Sequence, residues 1–339
     1  DFAHNESNPL EAKVLIGDEE SMKDTNLMSA VFAARARGTH VLLIGDVNQL
    51  PPVGHGAPLR DFIAAGLPYG ELTTIMRNSG GIVEACAAIR DGKKWKADDN
   101  LIVTNSTKPD QQISEMLSIL EKVRQEGKYD PIWDCQVLVA VNDKSPLSRK
   151  RLNEMLQSVL NSNPADKSSP FRVGDKIVNT QNSKFPLTDD CKGEGSTTLV
   201  ANGELGEVIA VEPNRFIVEL KTPKRTIVVP RGKPDPKADE EETGTGCSWQ
   251  LGYALSTHKS QGSEWPIVIT MIDEYPGARR ICCREWLYTA ISRAKVFCYL
   301  VGRKTTADMF CRNVAIGKRR TFLKQEILRL HAELLLEAL

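Results

Sequence analysis

Two carboxylates stand where an apolar run ends: Val14-Leu15-Ile16-Gly17 leads straight into Asp18-Glu19. Carboxylates so placed can hold Mg2+ through one side chain and orient a water through the other. An ordinary acidic loop at a strand end is the plainer reading of that pair taken alone. A second run, Val41-Leu42-Leu43-Ile44-Gly45, leads into Asp46-Val47-Asn48-Gln49-Leu50-Pro51-Pro52-Val53-Gly54. The Gln49 amide both donates and accepts, which suits it to sensing a γ-phosphate or the water that attacks it. Pro51 and Pro52 stiffen the exit from the strand.

Such groups need a scaffold to hold them. Between the two runs, Leu27, Met28, Val31, Phe32 and Ala34 recur at helical spacing, with Gly38 as the expected stop. Strand, helix, strand with continuous apolar strands is the βαβ pattern of a parallel sheet. In such sheets ligands bind beyond the carboxyl ends of strands, the edge where Asp18, Glu19 and Asp46 fall. Residues 101–103, 137–141, 267–269 and 297–301 read as further strands. Residues 113–124 and 147–160 read as helices, the second opened by Ser145 as cap and Pro146 in the first turn. Residues 171–247 differ: short β-rich runs are split by Asn202-Gly203 and Pro213-Asn214 turn signals, which predicts a small antiparallel barrel inserted in the α/β scaffold. Within that stretch, 231–246 is a polar, acidic loop with little to bury.

Composition narrows the possibilities. The 339 residues carry 44 Lys+Arg against 44 Asp+Glu, so the whole chain has no bulk attraction to a polyanion, and any such partner must meet a local basic surface. Residues 279–324 hold 12 Lys/Arg and 2 acids, a tract that either faces phosphates or forms a solvated basic face. No stretch approaches 18 consecutive apolar residues, so no spanning helix and no membrane partner is expected. The 8 cysteines include no C-x-x-C, which argues against a metal knuckle or a disulfide scaffold and for reduced thiols in a cytoplasmic protein. The start, Asp1-Phe2-Ala3-His4-Asn5, is not a signal peptide and lacks an initiator Met, and the chain is read as a piece of a longer polypeptide. Near the other end, Leu323, Ile327, Leu330, Leu334 and Leu335 form a helical stripe that either docks on its own domain or meets a partner.

A family likeness rests on five strings in order. Asp18-Glu19-Glu20-Ser21-Met22 resembles motif II of superfamily 1 helicases, and the Gly45 to Gly54 string resembles their motif III. Leu72-Thr73-Thr74-Ile75-Met76-Arg77 is similar to motif IV. Tyr253-Ala254-Leu255-Ser256-Thr257-His258-Lys259-Ser260-Gln261-Gly262-Ser263-Glu264-Trp265 is similar to motif V, and Leu287-Tyr288-Thr289-Ala290-Ile291-Ser292-Arg293-Ala294 to motif VI. With the β-rich insert ahead of motif V, the set resembles the RecD-like branch, also known as the exodeoxyribonuclease V α-subunit-like family. One departure stands out: no G-x-x-x-x-G-K-[S/T] phosphate loop occurs in the 339 residues. The expectation is that the chain is the C-terminal portion, beginning after that loop.

The resemblance implies RecA-like parallel sheets, as part of a first domain over residues 1–75 and a second over 76–170 and 248–339, with an SH3-like barrel inserted at 171–247. It implies an ATP-dependent DNA helicase or translocase moving 5′ to 3′ on single-stranded DNA, with ATP and Mg2+ bound between the RecA-like domains and helicase-nuclease subunits as further partners. A non-hydrolysing nucleic-acid-binding or assembly subunit is the alternative. Asp18 would coordinate Mg2+, Glu19 activate water and Gln49 report on the γ-phosphate. Arg77 and Arg293 would act as arginine fingers, for which a planar, permanently charged fork is suited. Asp46, Gly262 and Glu264 would lie on the nucleotide side, Glu264 accepting from the ribose. Pro52, Thr257, His258, Lys259 and Thr289 would lie on the DNA side. Trp265 would stack on a base or fill core.

Overall fold

The computed structural model describes residues 2–72, 80–165, 169–188, 196–232 and 247–337. Arg77, Cys191 and most of the acidic loop lie outside the described residues. The chain runs β1 (Val14–Gly17), α1 (Thr25–Ala33), β2 (His40–Leu43), α2 (Pro58–Ala64), α3 (Gly81–Arg90), β3 (Leu101–Val103), α4 (Pro109–Glu126), β4 (Cys135–Val139) and α5 (Arg149–Leu160). It continues through β5 (Lys176–Asn179), β6 (Ser183–Pro186), β7 (Thr197–Val200), β8 (Leu205–Glu212), β9 (Arg215–Lys221), β10 (Lys224–Pro230), β11 (Trp249–Leu251) and β12 (Ala254–Ser256). Then come β13 (Trp265–Met271), α6 (Pro276–Ile281), α7 (Arg284–Ser292), β14 (Ala294–Val301), α8 (Lys304–Arg312) and α9 (Leu323–Glu337). Packing divides these into two units: residues 1–101, 279–292 and 304–339 form one, and 102–278 with 293–303 the other. The motif-based division at 75/76, 170/171 and 247/248 follows other lines, since α7, α8 and α9 pack in the first unit.

In the first unit β1 and β2 pair in parallel, joined by α1 as the βαβ pattern requires. Asp24 caps α1 by accepting from the Leu27 amide at 2.8 Å. The helix stops at Ala34, four residues before the expected Gly38, because the Ala34 carbonyl is taken by the Leu10 amide at 2.7 Å. Gly38 (φ +87°) serves the turn into β2 instead. Val14, Ile16, Leu42 and Ile44 stand 47–62% exposed on one side of this pair. A separate core joins Ile82, Cys86 and Ile89 of α3 to Leu287 and Ala290 of α7, with Trp286 edge-on to Phe310 of α8. Along α9, Leu328, Leu330, Leu334, Leu335 and Leu336 remain 46–72% exposed.

The second unit is built on the parallel part of a five-stranded sheet in the order β12-β4-β13-β14-β3. Every residue of β4 is buried, as expected of a central strand with both faces covered. Met116, Leu120, Leu152, Leu156, Val137, Ile269 and Met271 form its core. Three buried amides complete hydrogen bonds where strands end. Gln112 donates to the Ile272 and Val301 carbonyls, both at 2.8 Å; Gln136 donates to Tyr253 at 2.9 Å; Asn153 brackets Ala254 at 2.8 and 2.9 Å. The helix expected from 147 begins at Arg149. Ser145 is not its cap, because its hydroxyl donates to Asp273 at 2.6 Å and accepts from Leu147 at 3.1 Å.

The stretch from 171 forms an antiparallel sheet in the order β10-β9-β8-β5-β11, with β6 and β7 as a two-stranded ribbon. β9 alternates, with Phe216, Val218 and Leu220 inward on Phe171, Val208, Val229 and Trp249. β11 lies beyond the expected boundary at 247, because its pairing with β5 is what completes the sheet. Lys176, fully buried, donates to the Ile132 and Cys135 carbonyls at 2.7 and 3.2 Å, joining the two sheets of this unit. No helix among the described residues is long and apolar enough to cross a membrane.

Candidate functional site

The parallel register in the first unit puts Asp18-Glu19 and the Ile44–Gln49 segment beyond the same ends of neighbouring strands. The pairing runs on past β1, with Ile44 donating to Gly17 at 2.8 Å and Glu20 to Ile44 at 2.9 Å. Asp18 is exposed, and one oxygen accepts from the Glu19 amide at 2.8 Å. Glu19 adopts φ +51°, a left-handed conformation that costs about 1 kcal/mol or more outside glycine and clusters at functional sites. Gln49 is buried, and its Oε1 has no hydrogen-bond partner. Glu20 Oε2 and Ser21 Oγ are likewise buried without partners, and all three residues line one small cleft with Pro51 and Pro52. Each such orphan costs about 1–3 kcal/mol, which a ligand or water can return.

Glu20 was not among the sequence-derived site residues. The signal for it was Gly17: a Cβ there would sit 1.6 Å from Glu20 Oε1, so the glycine makes room for a third carboxylate, which pairs with Lys23. The donor set fits Mg2+ carried by a nucleotide, a hard cation that takes one or two carboxylates and completes its shell with phosphate and water. Among the described residues no group of three His, Cys, Asp or Glu could hold a metal alone. A cavity of about 280 Å³ lies nearby, lined mainly by apolar residues such as Leu15, Leu27, Val31, Val41 and Leu43, with Glu20 and Lys23 also in its wall.

The loop after β2 is tied down by residues far along the chain. Asp46 accepts from the Asn48 amide at 2.9 Å and from the Tyr288 hydroxyl at 2.8 Å. The Leu50 amide donates to Thr289 Oγ1 at 2.8 Å. The Arg319 guanidinium donates to the carbonyls of Pro52, Gly54 and Gly56. Burial, then the Asp46 charge, pushes the Tyr288 phenol well up, so it stays a donor. The expected nucleotide-side Asp46 and DNA-side Pro52 and Thr289 thus meet in one network. Sequence reasoning passed over Tyr288 and Arg319, for which no local pattern gives a signal.

The second unit has its own carboxyl edge. Thr257, fully buried after β12, donates to Val139 at 3.1 Å, and Ser260 Oγ donates back to the Thr257 carbonyl at 2.8 Å. His258 and Lys259 are half-buried, and Gly262 (φ +78°) is exposed with open space where a Cβ would be. A Cβ on Gly203, in the β7–β8 turn, would lie 3.9 Å from the Lys259 carbonyl, so this turn abuts the 257–264 segment. Glu264 pairs with Lys295. Arg293 is 1% exposed; its Nη1 donates to Ser263 at 3.2 Å and its carbonyl accepts from Trp265 at 2.9 Å. Trp265 is buried and fills core.

Much of the basic tract is bonded within the chain. Arg284 donates to Cys311, Arg303 pairs with Glu274, Lys304 with Asp308, and Lys318 reaches Asn313. Arg279, Arg280, Arg312, Arg320 and Lys324 are exposed. Cys135 and Cys283 have thiols pushed up by burial to about 12, inert at neutral pH.

Comparison with known proteins converges on these segments. A family profile described as an AAA domain matches residues 4–105, and one described as a UvrD-like helicase C-terminal domain matches 251–301. The ATP-dependent RecD2 DNA helicase of Deinococcus radiodurans is 30% identical over 299 residues, 87% of this chain and 37% of that protein. The RecBCD enzyme subunit RecD of Mycolicibacterium smegmatis is 26% identical, over 89% of this chain and 52% of the relative. The chain therefore spans between about a third and about half of the length of these curated relatives. In fold it is similar to the Bacteroides Pif1 helicase in complex with ADP-AlF3 and ssDNA, with a TM-score of 0.55, 19% identity and coverage of 95% of this chain and 76% of that one. With its acidic and amide edge, its ordered motifs and these relatives taken together, the chain belongs to the RecD-like superfamily 1 helicases.

Proposed function

We propose that the chain supplies part of an ATP-dependent helicase motor that moves 5′ to 3′ along single-stranded DNA. The observation that carries this is the edge holding an exposed Asp18, a left-handed Glu19 and a buried Gln49 with an orphan oxygen. Asp18 and its neighbours would hold Mg2+, which when bound offsets charge on the β- and γ-phosphates. Glu19 accepts a proton from the attacking water, and Gln49 turns its amide to that water or to the γ-phosphate. Arg77 and Arg293 stabilise charge on the transferred phosphoryl group. The phosphate-binding loop is not among these 339 residues.

On the DNA side the reading takes Pro52, Thr257, His258, Lys259 and Thr289, with the antiparallel sheet as an SH3-like barrel beside the strand. The Gly203 turn lying against Lys259 supports that placement of the insert. The exposed leucines of α9 support attachment to a further subunit of a helicase-nuclease. The test is strand displacement by the full-length protein on tailed duplexes, together with ATP turnover with and without single-stranded DNA. Unwinding of the 5′-tailed duplex with strand-stimulated turnover is expected. Binding of DNA with no turnover would replace this reading with that of a non-hydrolysing assembly subunit.

A further inference from the structure

The loop that carries Gln49 and Pro52 has no regular secondary structure, so its backbone groups need donors and acceptors from elsewhere. Some are local, with Gln49 donating to the Asp46 carbonyl at 3.1 Å and Thr25 to the His55 carbonyl at 3.0 Å, and the loop is further held by side chains from two distant segments. Consecutive residues of α7 take the near end: Tyr288 donates to Asp46 at 2.8 Å and Thr289 accepts from Leu50 at 2.8 Å. These bonds fall on either side of Gln49. Arg319 takes the far end, its fork spread over the carbonyls of Pro52, Gly54 and Gly56. The Arg319 segment is itself fixed, because Glu285 of α7 accepts from the Ala315 and Ile316 amides at 3.0 and 2.9 Å. Arg60 of α2 donates to the Ile316 and Arg319 carbonyls as well, so α7 holds the near end directly and shares with α2 the segment that carries the far anchor.

The far anchor is an unusual one. Arg319 is paired with carbonyls and no carboxylate, while Arg60 beside it takes Asp61 at 2.7 Å. Burial, then the neighbouring Arg60 charge, pushes the Arg319 guanidinium down from its usual range. The guanidinium offers five N–H groups in one plane, enough for three carbonyls at once, where a neutral amide offers two.

We infer that Tyr288 and Arg319 are positioning residues that hold the Asp46–Gly56 loop from its two ends, so that the stance of α7 sets where Gln49 and Pro52 stand. This inference rests on the motor reading above.

The test uses the full-length protein with Tyr288→Phe, Arg319→Gln and Arg319→Lys. Basal ATP turnover and KM for ATP are expected to stay within about twofold of wild type. The acceleration by single-stranded DNA is expected to fall about tenfold in Arg319→Gln, the loss tied to one charge-assisted set of bonds. A smaller loss is expected in Tyr288→Phe, and partial recovery in Arg319→Lys, which keeps charge and donors. Hydrogen exchange should quicken at residues 46–56 alone, with no change in Tm beyond a few degrees. A wild type that responds to the strand while all three variants respond as fully overturns the inference and spares the motor reading. A wild type with no strand response removes both. A uniform loss of Tm and activity would show a merely structural anchor.

Discussion

The carboxyl edges of the two parallel sheets are finished in opposite ways. In the first unit the polar groups are left open: Asp18 is exposed, Glu19 is held in a left-handed conformation, and Gln49 Oε1, Glu20 Oε2 and Ser21 Oγ are buried without partners. In the second unit more of the edge is bonded within the chain: Thr257 donates to Val139, Ser260 to the Thr257 carbonyl, and Arg293 to Ser263. An edge with unspent hydrogen-bonding capacity is one where a ligand supplies what the protein lacks. A self-satisfied edge is rigid and must exchange existing bonds to act. Lesions at the first edge should therefore cost activity without stability, and lesions at the second should cost both.

The largest effect is expected for Arg293→Ala. It should lower ATP turnover about 10³- to 10⁵-fold if the side chain is an arginine finger. Because the residue is buried on Ser263, it should also lower stability by about 3 kcal/mol, read by urea unfolding. Gln49→Met comes next. This near-isosteric change deletes the orphan acceptor, so turnover should fall about 10- to 100-fold while the unfolding midpoint holds or rises. If its midpoint instead drops like that of Arg293→Ala, the contrast between the edges is broken.

Lys176 sharpens the contrast on the self-satisfied side. Burial pushes its ammonium down to about 7 from the usual 10.5. The unfolded chain then binds more protons than the folded one between those values, so stability rises with pH across that window. Cys135, pushed up to about 12 from 9, works the other way above pH 9, so pH 7 to 9 is the clean interval. The unfolding free energy from urea titrations should rise over it by on the order of 1 kcal/mol, and the rise should vanish in Lys176→Met. The smallest effect on stability is expected for Glu19→Gly, a gain of about 1 kcal/mol from relieving the positive φ, read by urea unfolding, while turnover falls with loss of the carboxylate.

The strands and the open edge were legible because both are local. Continuous apolar runs ending in acids gave β1, the β2 edge and Asp18-Glu19, and alternation gave β9. What escaped depends on distant partners. Ser145 looks like a cap until Asp273 is seen to take its hydroxyl, and the helix starts at Arg149 instead. In the basic tract, the sequence does not separate Arg319, found on loop carbonyls, and Arg303, paired with Glu274, from the exposed Arg279, Arg280, Arg312, Arg320 and Lys324. Tyr288 and Asp46 lie 242 positions apart, and no spacing rule connects them.

The open edge is tested most directly by Glu19→Gln in the full-length protein, with ATP binding and single-turnover hydrolysis measured on the same sample. Nucleotide binding and Tm should match wild type while the hydrolytic step slows about 10²- to 10⁴-fold. Hydrolysis at the wild-type rate, or binding lost together with hydrolysis, would contradict the assignment of this edge to the attacking water.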